Sequence, residues 1–148
     1  MVEKIILSIH LVAGIVWIGS VFMGTFIDWP SAKESVLEGR FPFRFIIGQG
    51  KRVYYSVYFG IFQLWGSGTA LTIVHPPEGR VEVVFFALRV LCLSIMTLFT
   101  LYGTLVTWPK IQLATSEEAF HYYKDYKNRA IGTFVCGIVG AVLTLWSF

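Results

Sequence analysis

The sequence predicts an all-α membrane protein: a four-transmembrane-helix bundle built from a tandemly duplicated two-helix hairpin, with short interfacial helices in its cytoplasmic loops. Three observations predict it. The chain of 148 residues is 55% hydrophobic and only 14% charged, where a soluble domain carries about a quarter charged residues. Its apolar residues gather in four stretches, each of about 19 to 25 residues, long enough to cross a hydrocarbon core of about 30 Å. The phrase "GTFIDWP" at residues 24–30 returns as "GTLVTWP" at residues 103–109.

Residues 5–27 form the first predicted span. It is too long for a signal peptide, has no A-x-A-like cleavage site and carries His10 in its middle. After "DWP", Ser31 and Glu34 have capping-box spacing and Gly39 supplies a stop, which predicts a short helix over residues 31–38. "RFPFRFIIGQGKR" then interleaves Arg with Phe, as an interfacial segment beside anionic lipid does. Residues 53–74 form the second span, which ends in the turn "HPPEG", and residues 83–107 form the third. Thr115 and Glu118 are again spaced for a cap, predicting a helix over residues 116–127 before the last span, residues 130–148.

Charge sets the orientation. The connection over residues 28–52 holds Lys33, Arg40, Arg44, Lys51 and Arg52, and that over residues 108–129 holds Lys110, Lys124, Lys127 and Arg129. The other side has only Lys4 and Arg80. The positive-inside rule therefore places both long loops in the cytoplasm and both termini outside. The net charge of +3 follows from this asymmetry, and no basic-aromatic motif points to nucleic acid. The chain reads as a single integral membrane domain, residues 1–148, with repeat one at 1–75 and repeat two at 80–148.

A shift of seventy-nine residues lays Glu3 on Glu82, Gly24 on Gly103, Thr25 on Thr104, Trp29 on Trp108 and Pro30 on Pro109. With a two-residue adjustment Arg52 meets Arg129 and Gly60 meets Gly137. Trp-Pro by itself is a good end for any membrane helix. The extra Gly-Thr at fixed distance favours duplication, with the halves related by an axis along the membrane normal.

The same shift pairs His10 with Arg89. His10, Gly14, Trp17, Val21 and Gly24 share one helix face, and Arg89, Leu93, Met96, Thr100 and Gly103 form the counterpart. Small residues mark close helix approach, so both stripes should face the bundle axis. An Arg in mid-span costs about 2.5–3.5 kcal/mol on insertion scales, and no Asp or Glu lies inside any span. One reading is a snorkelling Arg89 paired to Glu82 or Glu3, with His10 in an interhelical hydrogen bond. The other is an anion brought by a cofactor. An imidazole opposite an unpaired guanidinium suits haem b, with His10 as axial iron ligand and Arg89 holding propionate oxygens. The expected binding residues are His10, Arg89, Gly14, Trp17 and Met96. His75 is a candidate second ligand, set against an ordinary turn residue before Pro-Pro. Cys92 and Cys136 start from opposite membrane faces, form no C-x-x-C, and read as small buried residues rather than a disulfide or metal pair. Gln63 and Ser67 suit an interhelical hydrogen bond or a quinone contact, and His121 reads as solvated.

"ILSIHLVAGIVWIGSVFMGTFIDWP" resembles the first helix of the bacterial HemJ-type protoporphyrinogen oxidases and of related CopD-type four-helix membrane proteins. "GKRVYYSVYFGIFQLWGSGTAL", "LRVLCLSIMTLFTLYG" and "YKDYKNRAIGTF" are similar to their later segments, so the likeness spans nearly the whole chain on loose motifs. It implies a haem b held by the first-helix histidine, His10, and an essential third-helix lysine at the position of Arg89. The Tyr-His that the oxidases carry later in that helix reads Tyr102-Gly103. Arg does not shuttle protons as Lys can.

The leading expectation is a membrane-embedded b-type haem protein for electron transfer or redox sensing, in a bacterial or archaeal cell membrane. Its expected partners are the lipid bilayer, haem, a quinone or a redox protein, and a second copy of the chain. The alternatives are a haem-dependent oxidoreductase resembling protoporphyrinogen oxidase, and a CopD-like copper or small-solute transport protein. Copper favours soft ligands in clusters, whereas three scattered Met and two separated Cys offer none along the sequence.

Overall fold

Four long helices account for the chain. The computed structural model describes residues 1–145, and the last three residues of the predicted fourth span lie outside them. Helix α1 (Val2–Phe22) continues through a π-helical segment (Met23–Asp28) into α2 (Trp29–Leu37). After Gly39, which adopts φ +90°, α3 runs over Phe43–Val74. Helix α4 (Arg80–Tyr102) passes through a second π-helical segment (Gly103–Thr107) into α5 (Trp108–Leu113), and α6 spans Ser116–Leu145. Counted through the π-helical turns, the four rods hold 36, 32, 34 and 30 residues, each long and apolar enough to cross a membrane. At 1.5 Å per residue they reach roughly 45–54 Å, well beyond a hydrocarbon core of about 30 Å.

The repeated phrase does not end its helices. Proline lacks the N–H that closes a turn, and its ring crowds the carbonyl four residues back. Here each Pro sits at the start of the α-helix that follows a π-helical segment. A widened turn is one way for a helix to absorb such a residue without stopping. The helices expected at residues 31–38 and 116–127 are present as helix, but as continuations of the long rods. Gly39 does close the first extension, and its N–H bonds the Val36 carbonyl at 2.9 Å. The capping box forms only in the second. Thr115 N–H and hydroxyl donate to Glu118 Oε2 at 3.0 and 2.9 Å. Ser31 instead lies inside a continuous helix and bonds back to the Ile27 carbonyl at 3.3 Å. The Arg-Phe segment is helical from Phe43 onward, forming the first turns of α3.

Helix α1 packs mainly on α3, α4 on α6, and the α1–α6 contact joins the two hairpins. Large apolar side chains point outward along the rods, among them Ile15, Phe62 and Leu98 at 70%, 74% and 65% exposure. A soluble protein does not leave so much apolar surface in water, and a lipid-facing surface needs it. Inside, Ala13, Trp17, Val57, Leu64 and Met96 form a core at mid-bundle. A second core, of Ala32, Phe41, Ile46, Ile111, Ala119 and Tyr123, binds the extended helix ends into a cap around Trp29 and Trp108. Trp29 stacks on Phe120 at 5.4 Å between ring centroids.

Two glycines permit this packing. A Cβ on Gly60 would lie 3.3 Å from the Cβ of Trp17, and one on Gly50 would overlap the Trp108 ring. Gly50→Ala should therefore lower stability by roughly 1–3 kcal/mol, the usual effect of overpacking. Thermal unfolding in detergent would show a reduced midpoint. An unchanged midpoint would mean that the cap does not hold Trp108 against α3.

Candidate functional site

A cavity of about 760 Å³ opens at the end of the bundle that holds the amino terminus and the His75 turn. Its size is that of small-molecule and cofactor sites, about 300–1,000 Å³. His10, Gly14, Arg89, Met96 and His75 all line it, so the bundle gathers five of the six expected site residues around one space. Trp17 is the exception. It is fully buried in the mid-bundle core, packed on Gly60, and its indole N–H has no acceptor. The helical stripe predicted from sequence faces inward, but Trp17 lies in the core between two cavities.

His10 is held in a defined state. Its Nδ1 lies 2.8 Å from Ser67 Oγ, and the Ser67 hydroxyl donates to the backbone carbonyl of Gln63 one turn earlier. With that proton committed, the Ser67 oxygen must accept, so Nδ1 carries the hydrogen. The lone pair then falls on Nε2. Such partners fix the tautomer and ring orientation of metal-binding histidines. The approach depends on Gly68, where an added Cβ would lie 3.4 Å from His10 Cε1.

Arg89 has no acidic partner among the described residues. Its one hydrogen bond runs from Nε to the Phe85 carbonyl at a long 3.4 Å. The two carboxylates that might have paired with it are engaged elsewhere. Glu82 accepts the Glu78 N–H at 3.0 Å, and Glu3 Oε1 meets His75 Nε2 at 2.8 Å. The second of these contacts ties the carboxyl end of α3 to the start of α1, at the mouth of the cavity. His121 is solvated as expected, 3.8 Å from Asp125.

The cavity also assembles residues that sequence spacing kept apart. Cys92 and Cys136 both line it as free thiols, and their side chains interact. Met96 stands at the same wall, 4% exposed. Cys92 lies twelve residues after the start of α4 and Cys136 nine before the described end of α6, so antiparallel packing of the two helices brings them level. Among the described residues no group of three or more His, Cys, Asp or Glu side chains is arranged to hold a bare metal ion.

Comparison with protein-family models, curated proteins and solved structures finds no match. The site therefore stands on its own geometry. Ser67 is the residue that the sequence reading left outside the site. Its signal was its place one turn after Gln63 on a helix that must pack against α1.

The tautomer is directly testable. Nitrogen-15 NMR of histidine-labelled protein in detergent should show His10 protonated at Nδ1 and not at Nε2. Ser67→Ala should release that preference and cost about 0.5–1.5 kcal/mol, the net worth of one hydrogen bond. A His10 signal that does not respond to Ser67→Ala would contradict the bond.

Proposed function

We propose that the protein is a membrane-embedded b-type haem protein that passes electrons or senses a redox partner. The observation that carries the reading is His10 Nδ1 held 2.8 Å from Ser67 Oγ, in the same cavity as an Arg89 with no acidic partner among the described residues. A porphyrin already supplies four nitrogens to its iron, so the chain need provide only an axial ligand and an anchor for the propionates. His10 would supply Nε2 as the axial ligand, with Ser67 holding the ring. Arg89 would hold propionate oxygens by charge-assisted hydrogen bonds, which offsets the unpaired charge. Gly14, where an added Cβ would reach only Leu64 at 3.9 Å, leaves the wall open for a flat ligand. Bound haem supplies one-electron chemistry, and the residues of this chain bind it, orient it and shield it with apolar helices. The resemblance to HemJ-type and CopD-type proteins supports the same site, and a quinone or redox protein would complete the electron path.

The proposal includes a topology. Both termini lie outside, the Trp-Pro cap lies at the cytoplasmic headgroups, and the halves descend from one duplicated hairpin. The Lys and Arg distribution supports the first two. The third is supported by the two π-helical segments, which begin at Met23 and Gly103 and both carry the repeated Gly-Thr.

Purified protein should show a Soret band that shifts on reduction, or should gain one on adding hemin. His10→Ala should abolish the band or change the iron's coordination. Arg89→Leu should weaken haem retention without altering spin state, and Arg89→Lys should keep the charge but lose the forked contact. Wild-type protein that carries no haem and gains no spectrum with hemin would end the proposal.

A second reading rests on the Cys92, Cys136 and Met96 wall. Two thiols and a thioether suit monovalent copper, and the three residues line one cavity. Anaerobic titration with copper(I), compared between wild type and Cys92→Ser, separates this reading from the haem site, because His10→Ala should leave it intact.

A further inference from the structure

The far end of the bundle holds a second cavity, of about 490 Å³, that the His10 site does not use. Both π-helical segments line it, the first with Gly24, Thr25 and Asp28, the second with Thr104, and Arg129 of α6 closes it. The two copies of the repeated phrase differ here in how their polar groups are satisfied. Thr104 donates to the Thr100 carbonyl at 2.8 Å and so accepts the Tyr58 hydroxyl, also at 2.8 Å. Its counterpart Thr25 is 4% exposed, and its hydroxyl is buried without a partner. Thr107 accepts Arg129 Nη2 at 2.7 Å. Its counterpart Asp28 is 7% exposed and has no hydrogen bond or ion pair among the described residues. Arg52, the sequence counterpart of Arg129, is exposed instead.

Arg129 is itself only half satisfied. Its guanidinium lies over the Tyr102 ring at 4.8 Å, its Nε–H is buried without an acceptor, and no carboxylate among the described residues lies within ion-pair distance. One cavity thus brings together a carboxylate and a guanidinium that make no ion pair among the described residues, and a hydroxyl without a partner. Leaving buried charges uncompensated is costly. A simple anion would answer Arg129 but oppose Asp28, and a simple cation would do the reverse.

We infer that this cavity binds a zwitterionic phosphoethanolamine group, with its primary ammonium donating to Asp28 and its phosphate oxygens accepting from Arg129 and Thr25. Lys51 and Lys127 also line the space and add positive charge, which favours phosphate over a carboxylate. Val53, Val57 and Phe99 give it an apolar wall suited to acyl chains. The same headgroup chemistry comes from a membrane phosphatidylethanolamine or from water-soluble O-phosphoethanolamine. This inference does not depend on the His10 site.

Native mass spectrometry of detergent-purified protein, incubated with equimolar phosphatidylethanolamine, phosphatidylcholine and phosphatidylglycerol, tests it. Wild type should retain phosphatidylethanolamine about tenfold over phosphatidylcholine, whose quaternary ammonium has no N–H to donate to a carboxylate. Asp28→Asn should bring that ratio close to one. Thr25→Val should lower retention of the lipid, although in an unliganded site removal of an unpartnered buried hydroxyl would only stabilise the fold. Thermal midpoints of both near-isosteric variants confirm that they fold. A midpoint raised by O-phosphoethanolamine, with no lipid retained, assigns the site to the soluble source. Equal retention of the three lipids with no response to O-phosphoethanolamine overturns the inference, as does an Asp28→Asn variant that keeps the wild-type preference.

Discussion

In a bundle whose outer face is apolar, every polar group must be satisfied from inside. Helices meet this demand for their own backbones, and many of the hydroxyls along them meet it by bonding to the carbonyl four residues earlier, as Ser20, Thr72 and Thr97 do. The rest of the structure follows from where that local solution is insufficient. Ser67 bonds back in the same way, and this is why its oxygen can only accept from His10. An ordinary intrahelical bond thereby sets the state of an imidazole on another helix.

The proline constraint works alongside it. Pro30 and Pro109 each deny the helix one N–H, and the chain widens its turns immediately before them instead of breaking. Because the rods continue, their ends pack into the aromatic cap of Trp29, Phe120 and Tyr123. The widened turns also present the repeated Gly-Thr to a cavity. Gly103 there fits closely under Tyr126, with 2.9 Å from an added Cβ to the ring, whereas Gly24 has open space around it. The expectation of close helix approach therefore holds for one copy of the glycine and not for the other.

Two cavities at opposite ends, separated by the Trp17, Leu64 and Met96 core, give the molecule its functional layout. Each contains an arginine with no carboxylate beside it, Arg89 in one and Arg129 in the other. The rigid mid-bundle core, with Trp17 fully buried, keeps the two spaces distinct.

The sequence by itself determined the four apolar helices and the inward stripe carrying His10 and Arg89. Hydrophobic length and the 3.6-residue period act locally along the chain, so they can be read without knowing any neighbour. Tertiary structure decided the rest. Only packing shows that Glu3 is taken by His75 and Glu82 by the Glu78 backbone, which leaves Arg89 without an acid. Cys92 and Cys136 lie forty-four residues apart and meet because α4 and α6 run antiparallel. The linear pattern marked Trp17 for the site, since it shares the His10 face, but the close approach of Gly60 seals it into the core. Periodicity tells which way a side chain points, while its partner depends on which helix comes to lie opposite, and that is fixed only when the four rods pack together.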